Sequence, residues 1–302
     1  MTLKRTKVNR VIAISYLLFF GFSAHVFGQK LSAEEIIAKH LQALGQKEPV
    51  AKMKLRLAIA ASKFYIPAAA KKTQGRAVFA SNGDEMAFYS TFEMIDYPTE
   101  RIGLFKQKVD IPFVQLGRRS PLGTFLTAYD KTLRSRIFGG VVFSTWRFGS
   151  LETQTNKIES DGKKKIGNRE AWVIKFTPDG GLSADSSVKL YFDAQTFYHL
   201  RTVYRQKETE RGFHEIRGRE AGTGQVPGAW EQDMAANAST LTENFDDFRD
   251  ESGVTLPHKY ELLLSVDGVK GTSEFRWEFE FSEYRAMVEF PPNFFSFTNA
   301  RQ

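Results

Sequence analysis

The sequence predicts a mainly β, α+β protein: a strongly curved antiparallel sheet forming an incomplete β-barrel, with two or three helices covering the open side. Three observations carry this. From Lys72 to Val109 alternating apolar and polar segments turn over every eight to twelve positions at Gly, Asn, Asp and Pro signals, and hairpin segments resume after Gly139. Only two segments combine helical spacing with capping residues. About ten strands at ~4.8 Å spacing span roughly 48 Å, whereas one helix covers roughly 10 Å, so the sheet must curl over its own apolar face to keep it from water.

Residues 1–28 stand apart from the fold. Lys4, Arg5, Lys7 and Arg10 precede an uncharged run, Val11 to Phe22, and small residues up to Gly28. This is the pattern of a secretory signal peptide cut after Gly28: the run is shorter than the roughly 20 residues that span a bilayer, and only its extension to Gly28, about eighteen residues, leaves an uncleaved anchor as the second reading. Without these four cations, 38 of the 42 Lys and Arg remain against 35 Asp and Glu, and the net charge falls from +7 to +3. The basic excess is therefore mostly leader, and no charge argument for a nucleic-acid partner survives. The chain has no cysteine, hence no disulfide, thiolate metal site or acylated cysteine. The expectation is a soluble, monomeric periplasmic protein, residues 29–302 forming one domain.

Taken in order, "LSAEEIIAKHLQALGQ" is an amphipathic helix, with Ser32 as N-cap, Glu35 completing a capping box, Ile36, Ile37, His40, Leu41 and Leu44 on one face, and Gly45 ending it. A strand follows from Leu55 to about Ile66. "GRAVFA", the turn "SNGD", "EMAFYSTFE" and "RIGLFKQKV" give hairpins. A second helix, capped by Ser120 with Pro121 at its first position, runs to Gly139 and carries Leu122, Phe125, Leu126, Tyr129, Leu133 and Ile137 on one side. Strands resume with "VVFSTWRF", "ETQTNKIES" turning at Asp161-Gly162, "AWVIKFT", "SVKLYFD" and "YHLRTVYRQ". Residues 207–240 show no period and read as a long loop, before "TLPHKYELLLS" and "EFRWEFEFSEYR" around Asp267-Gly268.

A curled and incompletely filled sheet encloses a pocket. Its candidate lining is Phe88, Phe92, Trp146, Trp172, Ile174, Phe176, Leu190, Phe192, Leu262, Phe275, Trp277 and Phe279. Leu122, Phe125, Leu126 and Tyr129 are the candidate lid, and Arg201 and Arg205 are candidates for meeting an anionic head group. The same alternation fits a sandwich or barrel whose aromatics interlock, and 27 Phe, 10 Tyr and 4 Trp suffice for either. In "FDDFRDESGVTLPHKYEL", Asp246, Asp247, Asp250 and Glu251 lack the spacing of a calcium loop and read as a solvated rim around a turn at Gly253. Asp193 and Thr196 read as turn-stabilising. No P-loop, dinucleotide loop, HExxH or GxSxG is present, and His40, His199, His214 and His258 have no metal-binding interval. No cofactor, metal or catalytic residue is expected.

Four passages, in order, resemble the periplasmic lipoprotein-carrier superfamily of LolA and LolB, specifically its outer-membrane lipoprotein-sorting relatives: "SAEEIIAKHLQALGQ", "GNREAWVIKFTPDGG", "VKLYFDAQTFYHLRTVYR" and "DDFRDESGVTLPHKYEL". The resemblance implies an incomplete barrel plugged by helices, with a cavity for acyl chains. It implies a non-enzymatic carrier of lipoprotein acyl chains or phospholipid, working between an inner-membrane donor and an outer-membrane acceptor. No arginine matches the family's lid-locking position. Two other readings stay open: a docking or structural module of the envelope, whose aromatic face would be a protein interface, and a periplasmic hydrolase or isomerase, which would need an inward ionisable residue such as Asp193 or Glu278 with a raised pKa. Period-2 alternation points Glu278 and Glu280 outward.

Overall fold

The computed structural model describes residues 30–114, 118–149, 157–178, 180–182, 186–207, 236–268 and 271–298. The expected leader, and residues 208–235 of the expected loop, lie outside them. The strands are β1 (Arg56–Ile66), β2 (Lys71–Ser81), β3 (Met86–Thr91), β4 (Thr99–Phe105), β5 (Lys108–Asp110), β6 (Lys157–Ile166), β7 (Arg169–Thr177), β8 (Ser187–Asp193), β9 (His199–Lys207), β10 (Ala236–Glu251), β11 (Val254–Gly268) and β12 (Gly271–Ala286). The helices are α1 (Ala33–Leu44), α2 (Lys47–Lys52), α3 (Pro121–Ala128) and α4 (Lys131–Arg134).

All twelve strands form one antiparallel sheet in the order β5-β4-β3-β2-β1-β12-β11-β10-β9-β8-β7-β6. Neighbours in sequence are neighbours in the sheet, save that β1 joins β12 and β5 and β6 stand at opposite edges. The chain therefore leaves at one edge and re-enters at the other. The described residues of that connection, 111–114 and 118–149, lie across the inner face.

The sheet is curled, as the aromatic contacts show. Phe88 on β3 and Phe279 on β12 are three strand intervals apart, roughly 14 Å in a flat sheet, yet their ring centroids are 5.4 Å apart. Phe79 on β2 likewise meets Tyr260 on β11 at 6.0 Å. Between them β1 presents only Ala58, Ala60 and Ser62 to the inside, and these small side chains let the aromatics of flanking strands close over them. The apolar set that marked this segment in the sequence, Leu55, Leu57 and Ile59, lies on the other face, Leu55 being exposed.

α1 forms as expected: the Glu35 N–H donates to Ser32 Oγ (3.1 Å) and the Ser32 N–H to Glu35 Oε2 (2.8 Å). The second expected helix is broken. α3 ends at Ala128, Tyr129 leaves helical geometry at φ −123° and ψ 49°, and only the short α4 follows. "VVFSTWRF" is not a strand but two 3₁₀ turns, Gly140–Val142 and Arg147–Gly149, entered through left-handed Gly139 and Gly140. A short apolar run between glycines reads alike as strand or buried plug; here every one of Val141, Val142, Phe143, Trp146 and Phe148 is buried. Asp161-Gly162 is a bulge inside β6 rather than a hairpin turn, with the register shifting between Ser160 and Lys163. The turn comes later, at Gly167. β10 begins at Ala236, so the expected loop is shortened at its C-terminal end, and the last hairpin turns between Gly268 and Gly271 rather than at Asp267-Gly268. The expected strand through Val109 is likewise split by a turn at Lys106 and Gln107, both with positive φ.

A second, smaller apolar cluster lies on the outer face. Phe290, Phe294, Phe295 and Phe297 of the C-terminal arm pack over Ala80, Ala87, Leu57 and Phe105. Asp110 holds the arm: its carboxylate accepts from the Phe297 N–H (2.7 Å), the Thr298 N–H (2.9 Å) and the Ser296 hydroxyl (3.0 Å). Gly103 allows the approach, since a Cβ there would stand 2.7 Å from the Phe295 carbonyl oxygen. Removing one carboxylate leaves several donors without partners, so Asp110→Ala should destabilise the fold by about 1–3 kcal/mol and expose the last residues to carboxypeptidase. Unchanged unfolding midpoint and protease resistance would show that the arm is held by its phenylalanines alone.

Candidate functional site

The inner face of the sheet is a floor, and residues 111–114 and 118–149 are its cover. The floor carries the expected lining on alternate positions: Phe88, Trp172, Ile174, Phe176, Leu190, Phe192, Leu262, Phe275, Trp277 and Phe279 are all buried and belong to one apolar cluster, with Phe92 beside them. Trp146 comes from the cover, not the floor. Leu122, Phe125 and Leu126 of α3 are buried in the same cluster and Tyr129 is partly buried against it. Where a hollow was expected, these side chains meet the cover's own aromatics. Phe143 packs on Phe79 at 5.6 Å, Phe148 on Phe176 at 6.0 Å, and Trp146 stacks on His199 at 4.7 Å.

Polar bonds fix the cover. Arg56, the first residue of β1, is 5% exposed, and its Nη1 donates to the carbonyls of Val141 (2.6 Å) and Val142 (3.2 Å) while Nε donates to Met53 O (3.3 Å). Burial away from water brings its pKa down to about 10. This arginine, tying the floor to the cover, escaped the sequence reading; its one signal was a charge in alternation with Ala58, Ala60, Ser62, Phe64 and Ile66, an otherwise uncharged inner set. Ser144 makes a third attachment: its N–H donates to Ser81 Oγ (2.8 Å) and its hydroxyl to Lys54 O (2.6 Å).

Glu243 was also missed. It lies inside the barrel on β10, accepting from the Gly139 N–H (2.7 Å) and the hydroxyls of Tyr260 (2.5 Å) and Tyr204 (2.7 Å). Desolvation dominates over these donors and raises its pKa to about 7. Glu100 on β4 is similar, raised to about 7 by burial, with the Tyr97 hydroxyl donating to it at 2.5 Å and Trp277 Nε1 donating in turn to Tyr97 (2.9 Å). Both are inward ionisable residues, the mark sought in Asp193 and Glu278. Those two residues do other work. Asp193 Oδ1 accepts from the N–H groups of Gln195 (2.8 Å) and Thr196 (2.9 Å) in a turn, and Glu278 accepts from Tyr65 on the outer face.

His40 and His199 complete the interior. His40 Nδ1 donates to Phe197 O (2.9 Å) and its Nε2 accepts from Trp146 Nε1 (3.1 Å), which fixes a neutral tautomer. Burial lowers its pKa to about 4 and takes that of His199 well below the usual value. Arg201 and Arg205 project from the outer face of β9, opposite buried Thr202 and Tyr204; Arg201 Nε donates to Asn244 Oδ1 (2.6 Å). The structure does not bring either arginine to the covered face. At the acidic rim, Asp250 caps the turn at Ser252 and Gly253 by accepting the Gly253 N–H (3.1 Å), Glu251 pairs with His258 (2.7 Å), and Asp247 with Arg249 (2.7 Å).

At one end of the cover a half-open cleft of about 360 Å³ enters the molecule. α1, α2 and the residues after it, the start of β1, the β2–β3 turn, the cover and the start of β11 surround it. Leu44, Val50, Val141, Phe143, Trp146, Val254 and Leu256 give apolar walls, and Lys54, Arg56, Asp84, Thr145, Arg136 and Arg147 the polar lining.

Three solved structures are similar in fold. A LolA superfamily protein from Nitrosomonas europaea is 12% identical, with 88% of this chain and 98% of that chain covered and a TM-score of 0.46. A DUF1329 family protein from Desulfovibrio piger is 11% identical over 87% and 96%, TM-score 0.44. A candidate outer membrane lipoprotein-sorting protein domain from Vibrio parahaemolyticus is 12% identical over 86% and 97%, TM-score 0.41. No known family profile matches the chain, and no curated protein does.

The buried groups set a pH response. Glu243 and Glu100 have folded-state pKa values near 7, above the ordinary 4.5, so their contribution is fully present below pH 4.5 and is lost as pH rises through about 7, of order 3 kcal/mol each. His40 has the opposite sign: with its folded value at about 4 against 6.5, its contribution is present above pH 6.5 and lost as pH falls toward 4. Thermal unfolding should show a Tm that declines from pH 6 to 8, and Glu243→Gln, which mimics the neutral acid, should flatten that decline. An alkaline limb identical in wild type and variant would mean that Glu243 is ionised in the folded protein.

Proposed function

We propose that the protein is an exported, non-enzymatic carrier that takes up an acyl chain of a lipoprotein or phospholipid beneath the cover and passes it toward the outer membrane, with residues 1–28 as its leader and residues 29–302 as one half-barrel domain. The observation that supports this most is that the cover fills the curled sheet with its own aromatic side chains, as a cargo would. Phe138, Phe143, Trp146 and Phe148 are each worth roughly 1.5–3 kcal/mol when buried, about 6–12 kcal/mol together. A chain of about sixteen carbons gains roughly 12 kcal/mol at ~0.8 per methylene. Exchange of plug for cargo is then close to balanced, so loading and release are both reachable.

Other features favour the same reading. Gly139 and Gly140, both with positive φ, give the cover a backbone joint that other residues adopt only with strain. Among the described residues, no helix is long and apolar enough to cross a membrane. The aromatic face is buried and offers no surface to a docking partner. Glu100 and Glu243 do not line the cleft; Glu243 is engaged by two tyrosine hydroxyls and a backbone N–H, and Glu100 is buried beneath Tyr97.

The absence of cysteine makes a direct test clean. Ser81 and Ser144 place their hydroxyl oxygens 2.9 Å apart, so a Ser81→Cys, Ser144→Cys pair should form a disulfide that pins the cover to the floor. The oxidised variant should lose uptake of a fluorescent fatty acid or phospholipid at least tenfold, and reduction should restore it. Equal uptake in both redox states would exclude entry beneath the cover, and no uptake by wild type would exclude the carrier role.

A further inference from the structure

The cleft beside the cover has a composition that the acyl chain alone does not explain. Its walls are apolar, but four cations, Lys54, Arg56, Arg136 and Arg147, face it against one carboxylate, Asp84. Arg56 is committed to backbone carbonyls. Arg136 meets Asp84 at 3.2 Å, but Asp84 is 69% exposed and can turn into solvent at little cost. Lys54 is exposed, and its stem lies over Gly83, where an added Cβ would meet it at 2.3 Å. The ammonium is thus carried along the lip of the cleft.

A second observation points inward. Thr145 is 3% exposed and lines the cleft, yet its Oγ1 is buried with no hydrogen-bond partner. A buried hydroxyl left unmade costs free energy that a polar ligand atom would recover. The arrangement of cations at the lip, an unused hydroxyl inside and apolar walls between is complementary to a molecule with an anionic end and a hydrocarbon tail. At about 360 Å³ the space is at the small end of ligand pockets, which suits one chain better than two.

We infer that the cleft seats the carboxylate or phosphate head of a single-chain anionic amphiphile, held by Lys54, Arg136, Arg147 and the Thr145 hydroxyl, with its tail against Leu44, Val254 and Leu256. This rests on the carrier reading and narrows it: the cargo is selected by the charge of its head. It also replaces Arg201 and Arg205 by cations on the covered side of the sheet.

The test is titration calorimetry of the purified protein with four probes below their micelle concentrations: dodecyl phosphate, laurate, uncharged monolaurin and inorganic phosphate. Dodecyl phosphate and laurate should bind at least tenfold more tightly than monolaurin, and their ratio identifies the preferred head. Lys54→Gln with Arg136→Gln should cost roughly tenfold or more for both anions, the loss expected for charge-assisted bonds, and leave monolaurin unchanged. Thr145→Val should weaken the anions a fewfold. Equal binding of charged and neutral chains, or no effect of the double variant, overturns the head-group site but leaves the carrier reading standing. Inorganic phosphate binding as tightly as dodecyl phosphate overturns it in favour of a free-anion site. If no chain binds, both readings fall together.

Discussion

The structure depends on one topological constraint. Because β1 pairs with β12 while β5 and β6 occupy opposite edges, the β5–β6 connection cannot be a short turn and must travel across the sheet. It takes the inner side, where apolar side chains from every neighbouring pair of strands converge. The hydrophobic effect then does the rest: the connection is drawn onto the floor, and its apolar residues supply the second half of the core. A separate layer of long helices is not needed, which is why α3 and α4 are so short.

This arrangement divides the stabilising interactions into two kinds. The floor is held by continuous ladders along long strands, β10, β11 and β12 above all. The cover is held by apolar contact and a few localised bonds, from Arg56, Glu243 and Ser144. Interactions of the second kind can be broken while those of the first remain, and local opening of such a segment needs less free energy than global unfolding. The cover is thus the part of the molecule whose attachment depends on the fewest bonds.

Much of the fold was legible in the residues. Alternation located most of the strands, and α1 was readable from Ser32 and Glu35 alone, because capping is local chemistry. What failed was long-range. "VVFSTWRF" has the composition of a strand, and only the topology makes it a plug. Asp161-Gly162 carries a hairpin signal, but Gly162 at φ 75° serves a bulge equally well. In the site, period 2 correctly grouped Phe275, Trp277 and Phe279, and it placed Arg201 and Arg205 on one face without saying which face was covered. Arg56 and Glu243 left no pattern, since a single polar residue on an inner face looks like noise until partners 85 and 104 positions away are brought beside it; Glu100 has its partner Tyr97 three positions away, and what alternation did not reveal is that both are buried.

An unclosed sheet leaves two outer strands whose backbone groups invite another chain to join, and the bulge in β6 bears on this. β5 is only three residues long, too short to template much. β6 is longer, but the irregularity at Gly162 bends it, and Lys163, Lys164 and Lys165 follow directly after. Asp161 gathers Lys164, Lys175 and Lys189 around itself, so the strand presents a kinked and strongly hydrated border. Such a border resists stacking of one molecule on the next. An open barrel is thus bordered on both sides by strands ill suited to pairing with another chain.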